Sequence, residues 1–103
     1  MIVVGTSLVE RHFQTHAGHK GLKAAKAQYE SWLSIVKQAE WRGPDDMKRA
    51  HAKASILKGG RAVFNIKAND FRLVAAVDYL GAVVRVRFFG THAEYDEIDA
   101  ETV

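Results

Sequence analysis

From Leu22 to Ala39, apolar side chains recur at three- and four-residue steps: Leu22, Ala25, Tyr29, Trp32, Leu33, Val36 and Ala39. That spacing lays one apolar stripe along a long helix. Lys20, Lys23, Lys26 and Lys37 fall mostly off the stripe, and Gly43-Pro44 is expected to stop the helix. Before it, Ile2 to Val4 reads as a short strand. Ser7 and Glu10 have the spacing of a capping box at the start of a first helix, which carries Leu8, Val9 and Phe13 and ends near Gly18. After Pro44, Asp45 to His51 reads as a short helix and Ala52 to Gly60 as an irregular connection closed by Gly59-Gly60. Three strands follow, Arg61 to Lys67, Phe71 to Tyr79 and Ala82 to Phe89, joined by two-residue loops at Asn69-Asp70 and Leu80-Gly81. Thr91 and Glu94 form a second capping box, so a last short helix is expected near His92. This order predicts an α+β fold: N-terminal helices packed on a small antiparallel meander, then a short C-terminal helix.

Strand side chains alternate between faces, so register decides which residues meet. With those loops, Lys67 opposes Arg72, Ile66 opposes Leu73, Val74 opposes Arg87 and Ala76 opposes Arg85. One face then collects Phe64, Ile66, Leu73, Ala75, Val77, Val84, Val86 and Phe88, a core for the helices to cover. The other face collects Asn65, Lys67, Arg72, Arg85 and Arg87, with Phe89 at one end. Like charges directly opposite each other are unfavourable, so Lys67 facing Arg72 suggests a place for an anion. A solvated outer face is the plainer reading.

Length and charge narrow the picture. The 103 residues suit a single domain spanning 1–103, and without cysteine there is no disulfide framework and no thiolate chemistry. No apolar run is long enough to span a bilayer or serve as a signal peptide, so the expected location is the cytoplasm, with no membrane partner. Through Ala93, fifteen Lys and Arg face seven acids. From Glu94 onward there are five acids and no Lys or Arg. A basic body attracts polyanions. Two readings of the acidic tail stay open: a nucleic-acid mimic against the body's own basic face, or an aid to solubility.

The candidate chemistry gathers where the third strand runs into GTHAEYDEID, Gly90 to Asp99. His92 can give or take a proton near neutrality. Tyr95, one helical turn on, can orient or donate, and Arg72 and Lys67 can stabilise charge on a phosphate in the transition state. These are the groups needed for RNA cleavage without a metal, in which a ribose 2′-hydroxyl attacks the adjacent phosphate. Lys53, Lys48 and Arg49 extend the basic surface or are ordinary solvated residues.

Two segments, RAVFNIKANDFRLVAAVDY (Arg61 to Tyr79) and VRFFGTHAEYDEID (Val86 to Asp99), resemble the HigB family of type II toxin–antitoxin systems, within the RelE-like mRNA interferases. WRGPDDMK (Trp41 to Lys48) and FQTHAG near Phe13 add weaker matches. The resemblance implies a microbial-RNase-like domain. It also implies an endoribonuclease that cuts mRNA, usually on the translating ribosome, and inhibits translation and growth. The partner it implies is a cognate helix-turn-helix antitoxin of the HigA-like kind. Lys67, Arg72, His92 and Tyr95 are the expected catalytic residues; Asn65, Asn69, Arg85, Arg87 and Lys53 are the expected RNA-binding residues. No cofactor is expected.

Two rival readings come from other classes. His12, His16 and His19 have helical spacing that a metal site could use, but Gly18 should end the helix before His19, and no carboxylate is expected to complete the shell. A non-catalytic RNA-binding module using the basic sheet face is the main alternative. It would shift RNA and leave it intact.

Overall fold

The structure, a computed structural model, describes residues 1–67 and 70–103. Five strands form one mixed sheet in the order β1-β5-β4-β3-β2: β1 (Ile2–Val4), β2 (Ser55–Ile56), β3 (Arg61–Ile66), β4 (Phe71–Asp78) and β5 (Val83–Thr91). β1 runs parallel to β5, and the other pairs are antiparallel. Four helices accompany the sheet: α1 (Thr6–Thr15), α2 (Leu22–Gln38), α3 (Pro44–Ala50) and α4 (His92–Tyr95). This is the expected α+β class. No helix among the described residues is long and apolar enough to cross a membrane.

The stripe on α2 does what its spacing implies. Ala25, Tyr29, Trp32 and Val36 are buried and join Val9 and Phe13 of α1 over Phe64, Ile66, Phe71, Leu73, Ala75, Val77, Val84 and Val86. Trp41 and Met47 close the same core. α2 ends at Gln38, earlier than Gly43-Pro44 would dictate. The Met1 nitrogen donates to the carbonyls of Val36 and Ala39 at 3.2 and 2.6 Å, tying β1's leading residue to the end of α2. Pro44 begins α3, with Asp45 and Asp46 in its first turn. The connection expected to be irregular contains β2, a two-residue edge strand against Val63 and Ala62.

The capping box predicted at Ser7 and Glu10 is absent, because α1 starts earlier, with Gly5 as its N-cap at φ +84°. A Cβ on Gly5 would sit 2.7 Å from the Val86 carbonyl oxygen. Gly5→Ala therefore combines a left-handed backbone cost of about 1–2 kcal/mol with a clash against a sheet strand. Gly18, at φ +90°, has nothing within 4 Å. Urea denaturation should show a clearly larger loss for Gly5→Ala than for Gly18→Ala.

Two registers differ from expectation. β3 ends at Ile66 and β4 begins at Phe71, so Asn65 opposes Arg72 and Ile66 opposes Phe71. Lys67 does not face Arg72. Its φ of +53° turns the chain, its N–H donates to Gln28 Oε1 at 2.7 Å, and its carbonyl accepts from Asp70 N–H at 3.0 Å. The second loop spans Tyr79 to Ala82 and keeps the expected pairing of Ala76 with Arg85. Further along, a bulge beside Val74 and Ala75 leaves Arg87 as an extra residue. Beyond it the alternation is reset. Phe89 enters the core, stacked on Phe71 with ring centroids 5.5 Å apart, and Phe88 turns to the opposite face.

His51 lies between Trp41 and Phe64, and its buried Nε2 has no hydrogen-bond partner among the described residues. Burial pushes its pKa below the ordinary 6.5. The unfolded chain takes up this proton as pH falls through about 6.5, while the native state resists it. Stability should therefore drop on acidification. His51→Gln should show a smaller difference between urea midpoints at about pH 7.5 and pH 5.5 than the parent.

Candidate nucleic-acid interface

The face away from α1 and α2 is not the open basic surface that alternation implies. Val63 and Val74 are buried on it beneath Ala100, with Leu57, Phe88, Tyr95, Ile98 and Val103 packed around them. The segment after α4 thus folds back over this face as an apolar strap. Arg61 Nη2 and Arg87 Nε both donate to the Val103 carbonyl oxygen, at 2.9 and 3.1 Å. Arg61 was not singled out by the sequence reading. The apolar residues Ile98, Ala100 and Val103, set among the tail acids, were the sign that this segment packs rather than trails.

The cations therefore sit around the strap. At one end of the sheet, half-buried Arg72 pairs across the strands with exposed Asn65 on β3 and with Gly90 on β5. The Arg72 guanidinium carbon stands 6.0 Å from the centre of the Tyr95 ring, a cation–π contact, and its Nη1 donates to the Phe71 carbonyl at 3.3 Å. His92 follows β5 directly as the first residue of α4, and its exposed ring places Nδ1 3.1 Å from Asp96 Oδ2. The capping box at this junction is fully formed: Thr91 Oγ1 accepts from Glu94 N–H at 3.2 Å, and Glu94 Oε1 accepts from Thr91 N–H at 2.9 Å. The backbone N–H of Thr91 holds the Glu94 carboxyl below its usual range, and His12 adds to the effect.

Lys67 reaches this end of the sheet indirectly. Its Nζ pairs with Asp70 Oδ2 at 3.0 Å and rests against Gly21, where a Cβ would collide with it. The Asp70 carbonyl in turn accepts from His92 N–H at 3.1 Å. One aspartate thus ties the Lys67 turn to the start of α4. Asn69 lies outside the described residues. Arg85 is exposed on β5 beyond the strap. Lys53 lines a groove with Asn65, Gln28, Ser31 and Trp32, alongside the uncovered end of β3. Lys48 donates to the carbonyls of Ala52 and Ala54 and Arg49 pairs with Asp46, so both cations have local partners.

The structure also corrects the expectation that no carboxylate stands near the N-terminal histidines. Glu94 Oε1 is 3.4 Å from His12 Nε2, and His12, His16 and Glu94 form a cluster of candidate ligands.

Two helices cover one face of a mixed sheet, while on the other Arg72 lies against Tyr95 of α4, the helix that begins at His92. Together with the family match, this arrangement defines an α+β domain of the RelE-like type. Residues 25–98 match the family model HigB_toxin, the RelE-like toxic component of a toxin–antitoxin system, and the chain belongs to that family. It is accordingly a toxin whose system includes a cognate antitoxin. No curated protein matches the chain.

Proposed function

We propose that this toxin is a metal-independent endoribonuclease that cleaves mRNA on the translating ribosome in the cytoplasm, and so inhibits translation and growth. Its antitoxin on this reading is a helix-turn-helix protein of the HigA-like kind. The observation that carries the reading is the contact of Arg72 with Tyr95 of α4, the helix that begins at His92, where β4, β5 and α4 meet. Arg72 contacts the scissile phosphate and stabilises its added charge. His92 acts in proton transfer, as general acid to the leaving 5′-oxygen. Tyr95, under the guanidinium, orients Arg72 or shares the proton task. Lys67 supports the site through Asp70, and Asn65, Asn69, Arg85, Arg87 and Lys53 contact RNA outside it. Arg87 already directs its Nε to Val103, so its share in RNA contact depends on the strap.

The alternative, an RNA-binding module without catalysis, keeps the same cations and predicts intact RNA. Single-turnover incubation with mRNA on programmed ribosomes separates them. Cleavage by the parent protein is expected, and intact transcript under conditions where the protein binds would reject the nuclease reading.

A further inference from the structure

His12 lies on α1 and His16, four residues on, is its C-cap; both precede the residues matched by the family model. Their C-cap neighbourhood holds more than a polar helix end. The two imidazoles stack with centroids 4.1 Å apart and planes 18° from parallel, so both rings offer an edge to one point. Glu94 reaches that point from α4, a helix that follows β5 at the far end of the chain. One ligand atom from each of His12, His16 and Glu94 can be chosen with all three within 4.8 Å of one another.

We propose that His12, His16 and Glu94 bind a divalent transition-metal ion, zinc by preference, as a clamp between α1 and α4. Two imidazoles and a carboxylate form a donor set suited to zinc. Ligands about 2.0–2.1 Å from a tetrahedral zinc stand about 3.3 Å apart, and His12 Nε2 is already 3.4 Å from Glu94 Oε1. The outer contacts of His16 and Glu94 also fit, whereas the buried His12 Nδ1 has no hydrogen-bond partner among the described residues. His16 Nδ1–H donates to the His12 carbonyl oxygen at 2.8 Å, which fixes the tautomer with its lone pair on Nε2. Glu94 Oε1 is held by the Thr91 N–H at 2.9 Å. His12 is set against Phe13, Phe71 and Phe89, edge to face, so its ring direction is locked by packing. Three protein ligands leave a fourth position for water or for His19, whose ring centroid is 5.2 Å from that of His16. The site stands apart from the nuclease reading, since it needs neither Arg72 nor RNA.

The test uses tag-free full-length protein stripped with a chelator. Titration calorimetry with zinc should give one ion per chain, and cobalt(II) in its place should give the intense visible bands of a four-coordinate site. Zinc should raise the thermal midpoint by several degrees. Glu94→Gln keeps a residue suited to the capping box, and His16→Ala changes only a half-buried ring. Each should weaken zinc at least tenfold and abolish the thermal shift, with circular dichroism confirming the fold. His92→Ala should bind zinc as the parent does. Absence of stoichiometric binding, undiminished binding in both His16→Ala and Glu94→Gln, or loss of binding in folded His92→Ala would each overturn the assignment.

Discussion

Arg72→Ala and His92→Ala should each lower the single-turnover cleavage rate by about a hundredfold or more. Cells expressing either variant without antitoxin should grow, while the parent arrests them. Arg72 sits at one end of the sheet, paired with Asn65 and Gly90 and placed over Tyr95. Its loss removes the cation nearest the proposed phosphate. His92 is exposed, with its ring against Asp96, so its replacement leaves the core intact. Arg85→Ala removes one peripheral phosphate contact. It should weaken binding and flatten its salt dependence while leaving partial toxicity. Folded variants that still bind the antitoxin make the comparison clean. Cleavage at the parent rate by folded His92→Ala would reduce GTHAEYD to a helix cap that shapes the end of the sheet.

The largest expected effect on stability is at Phe64. Its ring is 2% exposed, meets Trp32 at 5.3 Å and His51 at 5.1 Å, and its strand position opposes Leu73. Phe64→Ala should cost about 3–5 kcal/mol, from lost burial plus the cavity left behind. That is a large share of the stability of a small domain, and the thermal midpoint should fall by more than about 10 °C. Ile35, 46% exposed on α2, provides the contrast. Ile35→Ala should stay within about half a kcal/mol of the parent. Equal effects at the two positions would contradict the assignment of Phe64 to the core.

What the sequence made legible was local. The α2 stripe, the Pro44 helix start and the Thr91–Glu94 box each depend on residues within a turn or two of one another, and each appears as expected. Register was harder, because it depends on where a loop closes. Lys67, its N–H held by Gln28 from another element, lies off the basic face. The Arg87 bulge exchanged the roles of Phe88 and Phe89, and strict alternation cannot anticipate an extra residue. The strap over Val63 and Val74 and the approach of Glu94 to His12 are long-range contacts, invisible to periodicity. The candidate site was legible in its residue types, Arg72, His92 and Tyr95, but not in the way Asp70 joins Lys67 to His92.

The parallel pairing of β1 with β5 has a consequence for synthesis. Ile2 to Val4 is made early, but its partner Val83 to Arg85 follows every other strand. β5 also carries Phe89 into the core and leads directly to His92. During translation, the first strand must wait unpaired until the last has left the exit tunnel, because among the strand pairs this one joins the residues farthest apart along the chain. A chain interrupted before β5 lacks an interior strand of the sheet together with the His92 turn. The protein therefore acquires fold and site in one late step, and truncated products should carry neither.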